Sequence, residues 1–175
     1  MPADTLLTSN SALTLGDLTS PALITPRLRG QDATSVIQEL GETLAREARE
    51  PDLQSFQQAV LKREHLGGTS MEAGMAFPHA RLAELKELSF ALGRSDVLLS
   101  WNINEVPSVR LVFLIAVPAN DSARYLSLIS GLARLAKDRP LVERILTAHD
   151  AAQIFEILRQ VNLRASSETL NPVRL

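Results

Sequence analysis

The chain has 175 residues, of which 45% are hydrophobic and 22% charged, and its formal net charge is −2. This balance predicts one folded domain and excludes an intrinsically disordered protein. The absence of cysteine excludes disulfides, thiolate catalysis and cysteine-ligated zinc, and the lack of a basic excess argues against nucleic acid as a partner.

Membrane insertion is not expected either. The longest apolar run, residues 111–117, is much shorter than the roughly 20 residues that cross a bilayer. The chain does not open with the basic and apolar segments of a secretory signal. We therefore expect a cytoplasmic protein.

The N-terminal half predicts a flexible lead-in, an edge strand and two helices. Residues 1–19 show no apolar periodicity, and Pro26 confines a short strand at residues 22–28 to a sheet edge. Asp32 precedes a segment with apolar residues at helical spacing and is expected to cap the first helix, and the second is expected to start at Pro51 and Asp52.

The C-terminal half predicts three strands and then three helices. The strands are expected at residues 75–79, 88–93 and 109–117. The last of them is continuously apolar, which is typical of a strand covered on both faces. The first helix is expected to be capped by Asp121 or Ser122, the second to begin at Pro140, and the last to be capped by Asp150. On the first helix, the predicted buried positions are Leu126, Ile129, Leu132, Ala133 and Ala136.

Helices that alternate with strands indicate an α/β protein. We predict a single three-layer α/β/α domain, with a central mixed β-sheet flanked by helices, over residues 20–163. Residues 164–175 show no periodicity and are expected to be a C-terminal tail.

The strongest functional signal is the segment Gly-Met-Ala-Phe-Pro-His at residues 74–79. A small apolar strand would deliver the imidazole of His79 to a fixed place at its end. Neutral imidazole is a nucleophile near pH 7, and Arg63 upstream offers a planar fork of N–H donors for an oxyanion. Phosphoryl transfer needs little beyond such a nucleophile and charge stabilisation. Which ring nitrogen would react stays open.

These residues fit a known pattern. Lys-Arg-Glu-His-Leu-Gly-Gly-Thr at residues 62–69, followed by residues 74–79, resembles the phosphoacceptor region of the enzyme IIA domains of the bacterial sugar phosphotransferase system. The fructose/mannitol branch, which includes the nitrogen-regulatory IIA proteins, is the most similar. The resemblance extends through residues 110–118 and 125–136 and covers most of residues 20–162.

The resemblance implies a phosphohistidine carrier that acts in sugar uptake or in regulation. His79 would accept the phosphoryl group from the histidine-containing phosphocarrier protein, and Arg63 would contact the phosphate. A IIB-type protein or a regulatory target would be the acceptor. No cofactor or metal is expected, and the three histidines lack metal-ligand spacing.

The chain departs from the family pattern at several positions near the site. Phe77 stands where the family has an isoleucine before the proline, and Glu72-Ala73 where relatives often have Gly-Asn. Tyr125 stands where the family has a second histidine, and its hydroxyl can still donate one hydrogen bond. Ala80 stands where the family has a glycine. These departures leave open a regulatory binding module of the same fold that has lost efficient phosphotransfer. A histidine-nucleophile hydrolase is a third reading, but it lacks an evident general acid.

Four neighbouring residues receive more ordinary interpretations. Glu64 is interpreted as a surface charge or a salt-bridge partner, and His65 as exposed. Trp101 is expected to pack at the end of a strand. Arg81 is either solvated or close enough to reach a phosphate or an acidic partner.

Overall fold

The computed structural model describes residues 12–47, 52–71, 73–103 and 105–164. Within these residues, six strands form one mixed sheet. The strands are β1 (Ile24–Thr25), β2 (Ser70–Met71), β3 (Met75–Ala76), β4 (His79–Leu82), β5 (Ser89–Leu99) and β6 (Val109–Pro118). The helices are α1 (Ala33–Arg46), α2 (Leu53–Leu66), α3 (Ser122–Lys137), α4 (Arg139–Thr147) and α5 (Ala151–Leu158).

Strand β6 is the centre of the sheet. Strand β5 pairs with it antiparallel on one side, while β3 and β4 lie parallel to it, one after the other, along the other side. Strand β1 extends the sheet beyond β5, and β2 extends it beyond β3. Every residue of β6 except Arg110 is buried. The prediction of a strand covered on both faces is therefore confirmed.

The side chains of β6 alternate between two separate hydrophobic cores. Phe113 and Ile115 pack in the core that also holds Leu128, Leu132 and Ile154 from α3 and α5. The alternate residues of β6 pack against α1 and α2; they are Val112, Leu114 and Ala116. One sheet between two helical layers confirms the predicted three-layer α/β/α architecture.

Each described α-helix begins at an aspartate whose carboxylate accepts a hydrogen bond from a backbone N–H three residues later. Asp32 accepts from Ser35 at 2.8 Å, and this bond lowers the pKa of Asp32. The predicted caps at Asp32 and Asp150 are confirmed. Of the two candidates for α3, Asp121 rather than Ser122 is the cap, and Asp52 caps the helix that was expected to start at Pro51 and Asp52. The fourth helix begins at Asp138, and Pro140 lies in its first turn.

The predicted buried stripe of α3 needs correction. Leu128, Leu132 and Leu135 are buried, whereas Leu126 is 64% exposed. This helix is rich in leucine, isoleucine and alanine, so two neighbouring faces both carry apolar residues at helical spacing. The sequence pattern therefore admits either face, and packing against β6 selects the one that contains Leu128.

The folded part of the chain includes residues before position 20. Leu15 and Leu18 are buried in a 3-10 turn, and the N–H of Leu15 donates to the carbonyl of Val161 at 2.8 Å. Residues 1–11 and 165–175, which hold most of the predicted lead-in and tail, lie outside the described residues. The division of the chain at residues 20 and 163 stays a prediction.

Candidate functional site

The histidine of the sequence motif begins a strand of its own. We predicted one strand over residues 75–79, but the structure has β3 and β4 on either side of Phe77 and Pro78. Proline has no N–H to donate to a strand ladder, which explains the break. Beyond it, His79 pairs with Ile115 of β6. Among the described strands, β6 is the only partner of β4, so His79 lies at a sheet edge.

The glycine of the motif is required by the turn before β3. Gly74 has φ of +74°, a left-handed backbone conformation that residues other than glycine adopt only at a cost in free energy. Its carbonyl accepts hydrogen bonds from the N–H groups of Arg110 and Leu111, at 2.9 and 3.2 Å. The turn therefore fixes how β3 joins β6 just upstream of His79.

The structure brings the three predicted site residues together. His79, Arg63 and Tyr125 line one open cavity of about 320 Å³ between the end of α2 and the start of α3. His79 is half-buried, so the residue is partly accessible to solvent. The remaining lining residues are Ala59, Lys62, Leu66, Ala80, Arg81 and Val117.

The imidazole of His79 is oriented by its own strand. Its Nδ1 lies 2.9 Å from the backbone carbonyl oxygen of Phe77. A carbonyl can only accept a hydrogen bond, so this contact assigns the proton of the neutral ring to Nδ1. The lone pair of neutral His79 is then on Nε2, the ring nitrogen suited to nucleophilic attack.

Two arginines border the cavity. Arg63 is exposed, and its Nη1 donates to the carbonyl of Gly67 at 3.1 Å, which holds the side chain along the end of α2. Arg81 lies two residues after His79 on β4, and therefore on the same face of the strand. Its Nη1 donates to Ser122 Oγ at 2.8 Å, and its Cζ lies 5.4 Å from the centre of the Tyr125 ring. The cavity thus presents guanidinium groups that can bind an anion.

Ala80 and Phe77, which differ from the family pattern, are both packed. Ala80 is buried in the core shared with α1 and α2. The Phe77 ring lies 5.6 Å from that of Phe113, between centroids. Both side chains are therefore apolar packing groups, and neither adds a polar or charged group to the cavity.

The surface interpretation of Glu64 is wrong. Its side chain is buried and accepts hydrogen bonds from Trp101 Nε1 at 2.6 Å, from the Thr69 N–H at 2.7 Å and from the Thr69 hydroxyl at 2.9 Å. The chain reverses at Gly67, which places Thr69 over the last turn of α2 and covers the carboxylate. Trp101 is buried just after β5, as expected, and His65 is exposed.

Two features are absent from the part of the chain that the structure describes, a metal-binding cluster and a membrane-spanning helix. No group of three or more histidine, aspartate or glutamate side chains is placed to hold a metal ion. No described helix combines the length and the apolar character that a membrane crossing needs.

Comparison with known proteins gives one consistent family. The family model for the phosphoenolpyruvate-dependent sugar phosphotransferase system, EIIA 2, matches residues 17–161. A nitrogen regulatory protein of Bradyrhizobium diazoefficiens is 29% identical over 142 residues, which are 81% of this chain and 92% of that protein. The fructose-specific EIIABC component of Bacillus subtilis is 26% identical over 133 residues, which are 76% of this chain and 21% of that protein.

Solved structures show the same fold. The nitrogen regulatory protein IIA-Ntr from Neisseria meningitidis superposes with a TM-score of 0.71 at 24% identity, over 82% of this chain and 98% of that one. Enzyme IIA of the Escherichia coli mannitol system, solved in complex with phosphorylated enzyme IIB, superposes with a TM-score of 0.68 at 20% identity, over 79% of this chain and 95% of that one. Because the family model spans both helical layers and the cavity around His79, this chain belongs to the EIIA 2 family of the phosphoenolpyruvate-dependent sugar phosphotransferase system.

Proposed function

We propose that this protein is a phosphohistidine carrier and that His79 Nε2 is its phosphoacceptor atom. The observation that supports this most strongly is the placement of an oriented imidazole and the Arg63 side chain on the walls of one open cavity. The proposed donor is the histidine-containing phosphocarrier protein. The proposed acceptor is a IIB-type protein or a regulatory target, and the proposed place of action is the cytoplasm.

The transfer needs only one bond to break and one to form. The lone pair of His79 Nε2 attacks the phosphorus of the donor's phosphohistidine, and the donor nitrogen leaves in line with the electron pair of the broken N–P bond. The other nitrogen of the donor ring carries a proton, so the donor leaves as neutral imidazole and the positive charge passes to the phosphorylated His79 ring. The Nδ1 proton of His79 stays in its hydrogen bond to Phe77, so His79 exchanges no proton in the step. The phosphoryl oxygens carry the negative charge that Arg63 and Arg81 would stabilise.

We infer that the regulatory branch is the better match of the two roles in the family. Nitrogen regulatory proteins of Bradyrhizobium diazoefficiens and Pseudomonas aeruginosa align over 92% and 96% of their own length. Nitrogen regulatory proteins of Klebsiella oxytoca and Escherichia coli also align with this chain, each at 23% identity. Regulation of the nitrogen-regulatory type is therefore the role we propose first, with sugar uptake as the second.

One feature favours a different reading. Tyr125 occupies the place where the family pattern has a second histidine, and a phenol donates a weaker hydrogen bond than an imidazolium. A binding module that has kept the fold and lost efficient transfer is therefore the second candidate. Under this reading the cavity would recognise a partner without being phosphorylated.

A labelling assay separates the two candidates. The full chain is incubated with phosphoenolpyruvate, enzyme I and the histidine-containing phosphocarrier protein, and acid-labile label is measured. We expect the wild type to be labelled and His79→Ala to carry no label. His65→Ala and His149→Ala are matched controls, since both histidines are exposed and lie outside the cavity, and both variants should label normally. Label that persists in His79→Ala would overturn the assignment, and an unlabelled wild type would favour the binding module.

A further inference from the structure

We propose that Glu64 is a positioning residue for His79 and acts through Thr69 and the Phe77 backbone. The inference rests on the proposed function, because it concerns how the phosphoacceptor ring is held. Glu64 makes no contact with the ring itself. It acts through a continuous series of hydrogen bonds that begins at its buried carboxylate and ends at His79 Nδ1.

The first link joins Glu64 to Thr69. Oε1 of the carboxylate accepts from the Thr69 N–H at 2.7 Å and from Trp101 Nε1 at 2.6 Å, and Oε2 accepts from the Thr69 hydroxyl at 2.9 Å. All of these partners are donors, which suits an ionised carboxylate because it can only accept. The hydroxyl proton of Thr69 is therefore committed to Glu64, and the lone pairs of that oxygen are left for another donor.

The second link joins Thr69 to Phe77. The N–H of Phe77 lies 3.2 Å from Thr69 Oγ1 and also 3.2 Å from the Thr69 backbone oxygen. Since the hydroxyl hydrogen points to Glu64, its oxygen can accept from Phe77. The Glu64 carboxylate thus fixes which group donates and which accepts in the Phe77–Thr69 hydrogen bond, as well as the position of Thr69.

The third link joins Phe77 to His79. The Phe77 carbonyl accepts from His79 Nδ1 at 2.9 Å, and Pro78 between them restricts the backbone on both sides. The N–H of Phe77 is held by Thr69 and its carbonyl holds the imidazole. A shift of Thr69 would therefore move the group that selects the tautomer and the direction of the ring.

The last turn of α2 therefore supplies both a side chain that binds the anion and a side chain that positions the nucleophile. Arg63 points outward to the cavity, and the next residue, Glu64, points inward to the series of hydrogen bonds. Their adjacency couples the position of the anion-binding side chain to that of the nucleophile. In-line transfer depends on this alignment, because a displacement of about 1 Å can cost on the order of a hundredfold in rate.

Two readouts test the proposal on the full chain: the 15N chemical shifts of the His79 ring, which report its tautomer, and the single-turnover rate of phosphorylation. In the wild type we expect Nδ1 to carry the proton. Glu64→Gln and Thr69→Val should mix the tautomers and slow transfer about tenfold or more. Thr69→Ser keeps the hydroxyl and should restore both readouts. Thr43→Val is the matched control, because it also removes a buried threonine hydroxyl, one that donates to the Glu39 carbonyl within α1 and takes no part in these links, so it should transfer at nearly the wild-type rate.

The outcomes distinguish positioning from general stability. A purely structural role would lower the unfolding temperature of the Glu64→Gln and Thr69→Val variants and leave the tautomer and the rate of the folded protein unchanged; that result overturns the proposal. If Glu64→Gln does not fold, the comparison of Thr69→Val with Thr69→Ser decides. The ring shifts need no phosphorylation, so an unlabelled wild type would count against the proposed function while the tautomer result still supported or refuted the role of Glu64.

Discussion

The rings of His79 and Tyr125 lie 5.9 Å apart between centroids, with their planes inclined by 42°. The guanidinium of Arg81 lies against the same tyrosine ring. Tyr125 therefore contacts both the proposed nucleophile and a cation beside it. A tyrosine in this place supports two neighbours at once through its ring, in addition to offering a hydroxyl.

Removal of the Tyr125 hydroxyl tests whether it contacts the phosphoryl group. Tyr125→Phe keeps the ring, and a lost hydrogen bond to a charged group should slow transfer about tenfold or more. Tyr125→Leu also removes the ring beneath Arg81 and should slow it further. Single-turnover labelling measures both. A wild-type rate in Tyr125→Phe would restrict Tyr125 to packing.

Substitution of Arg63 should impair transfer more than any loss of a surface charge. Arg63→Ala removes a proposed phosphate donor, and the expected loss in rate is roughly 100-fold. Arg63→Lys restores charge but not the planar fork, so partial recovery is expected. Arg139→Ala is the matched control, because Arg139 is also exposed and borders a different cavity. Equal rates for Arg63→Ala and Arg139→Ala would contradict the assignment.

The cap of α1 should make stability depend on pH. Asp32→Ala removes an N-cap bond, and we expect the free energy of unfolding to fall by about 1 kcal/mol at pH 7. The Ser35 backbone bond lowers the pKa of Asp32 below its ordinary value of 3.8, so the stabilisation is complete above that pH and is lost as pH falls through the folded-state pKa. Urea unfolding at several pH values measures the difference between the two proteins.

An uncharged cap provides the control for this pH effect. Asp32→Asn keeps a side-chain acceptor for the Ser35 N–H and has no carboxyl to titrate. The difference between Asp32→Asn and Asp32→Ala should therefore stay constant from pH 7 to pH 3. A difference between wild type and Asp32→Ala that grows on acidification would contradict the sign of the predicted effect.

A buried arginine should be important for stability rather than for transfer. Arg94 donates to the carbonyls of Pro26, Ile145 and Ala148 at 2.9, 2.8 and 2.7 Å, which ties the end of α4 to the sheet. Arg94→Met would leave these carbonyls without that donor, and we expect a loss of about 3 kcal/mol or more in unfolding free energy.

Arg110→Met is the comparison for Arg94→Met, because Arg110 is half-buried and its side chain donates one hydrogen bond, to Ser95, in the described structure. Its loss should cost about 1 kcal/mol. Both proteins should still be phosphorylated. Equal losses of stability in the two variants would show that the bonds of Arg94 contribute little.

Features set by nearby residues could be predicted from the sequence. The apolar run of β6 indicated a fully covered strand, and aspartates before periodic segments located the starts of four helices. Gly74 also acts locally, by allowing the turn before β3. The break at Pro78 is local as well, but the single strand predicted over residues 75–79 ran through it. Arg63 and Tyr125 were joined to His79 by resemblance alone, since spacing in the chain carries no information about which helix ends meet.

The polar groups missed by sequence reasoning depend on distant partners. Glu64 is buried because Trp101 and the loop after α2 cover it. Arg94 is buried because the C-terminal end of α4 packs over it. A charged residue in a sequence is solvated in most proteins, so its burial follows only from tertiary packing. The sequence held one signal of this burial: Gly67 and Gly68 allow the chain to turn back after α2, and Thr69 then follows with a hydroxyl that can reach Glu64.

The position of β6 also has a consequence for how the protein is made. Every other described strand precedes β6 in the chain, yet β3, β4 and β5 all pair with it. During translation these segments leave the ribosome without the neighbour that joins them, and the sheet closes only after Pro118 has emerged. Assembly of the sheet is therefore a late, long-range event in biosynthesis, and the nascent chain carries exposed apolar segments until then.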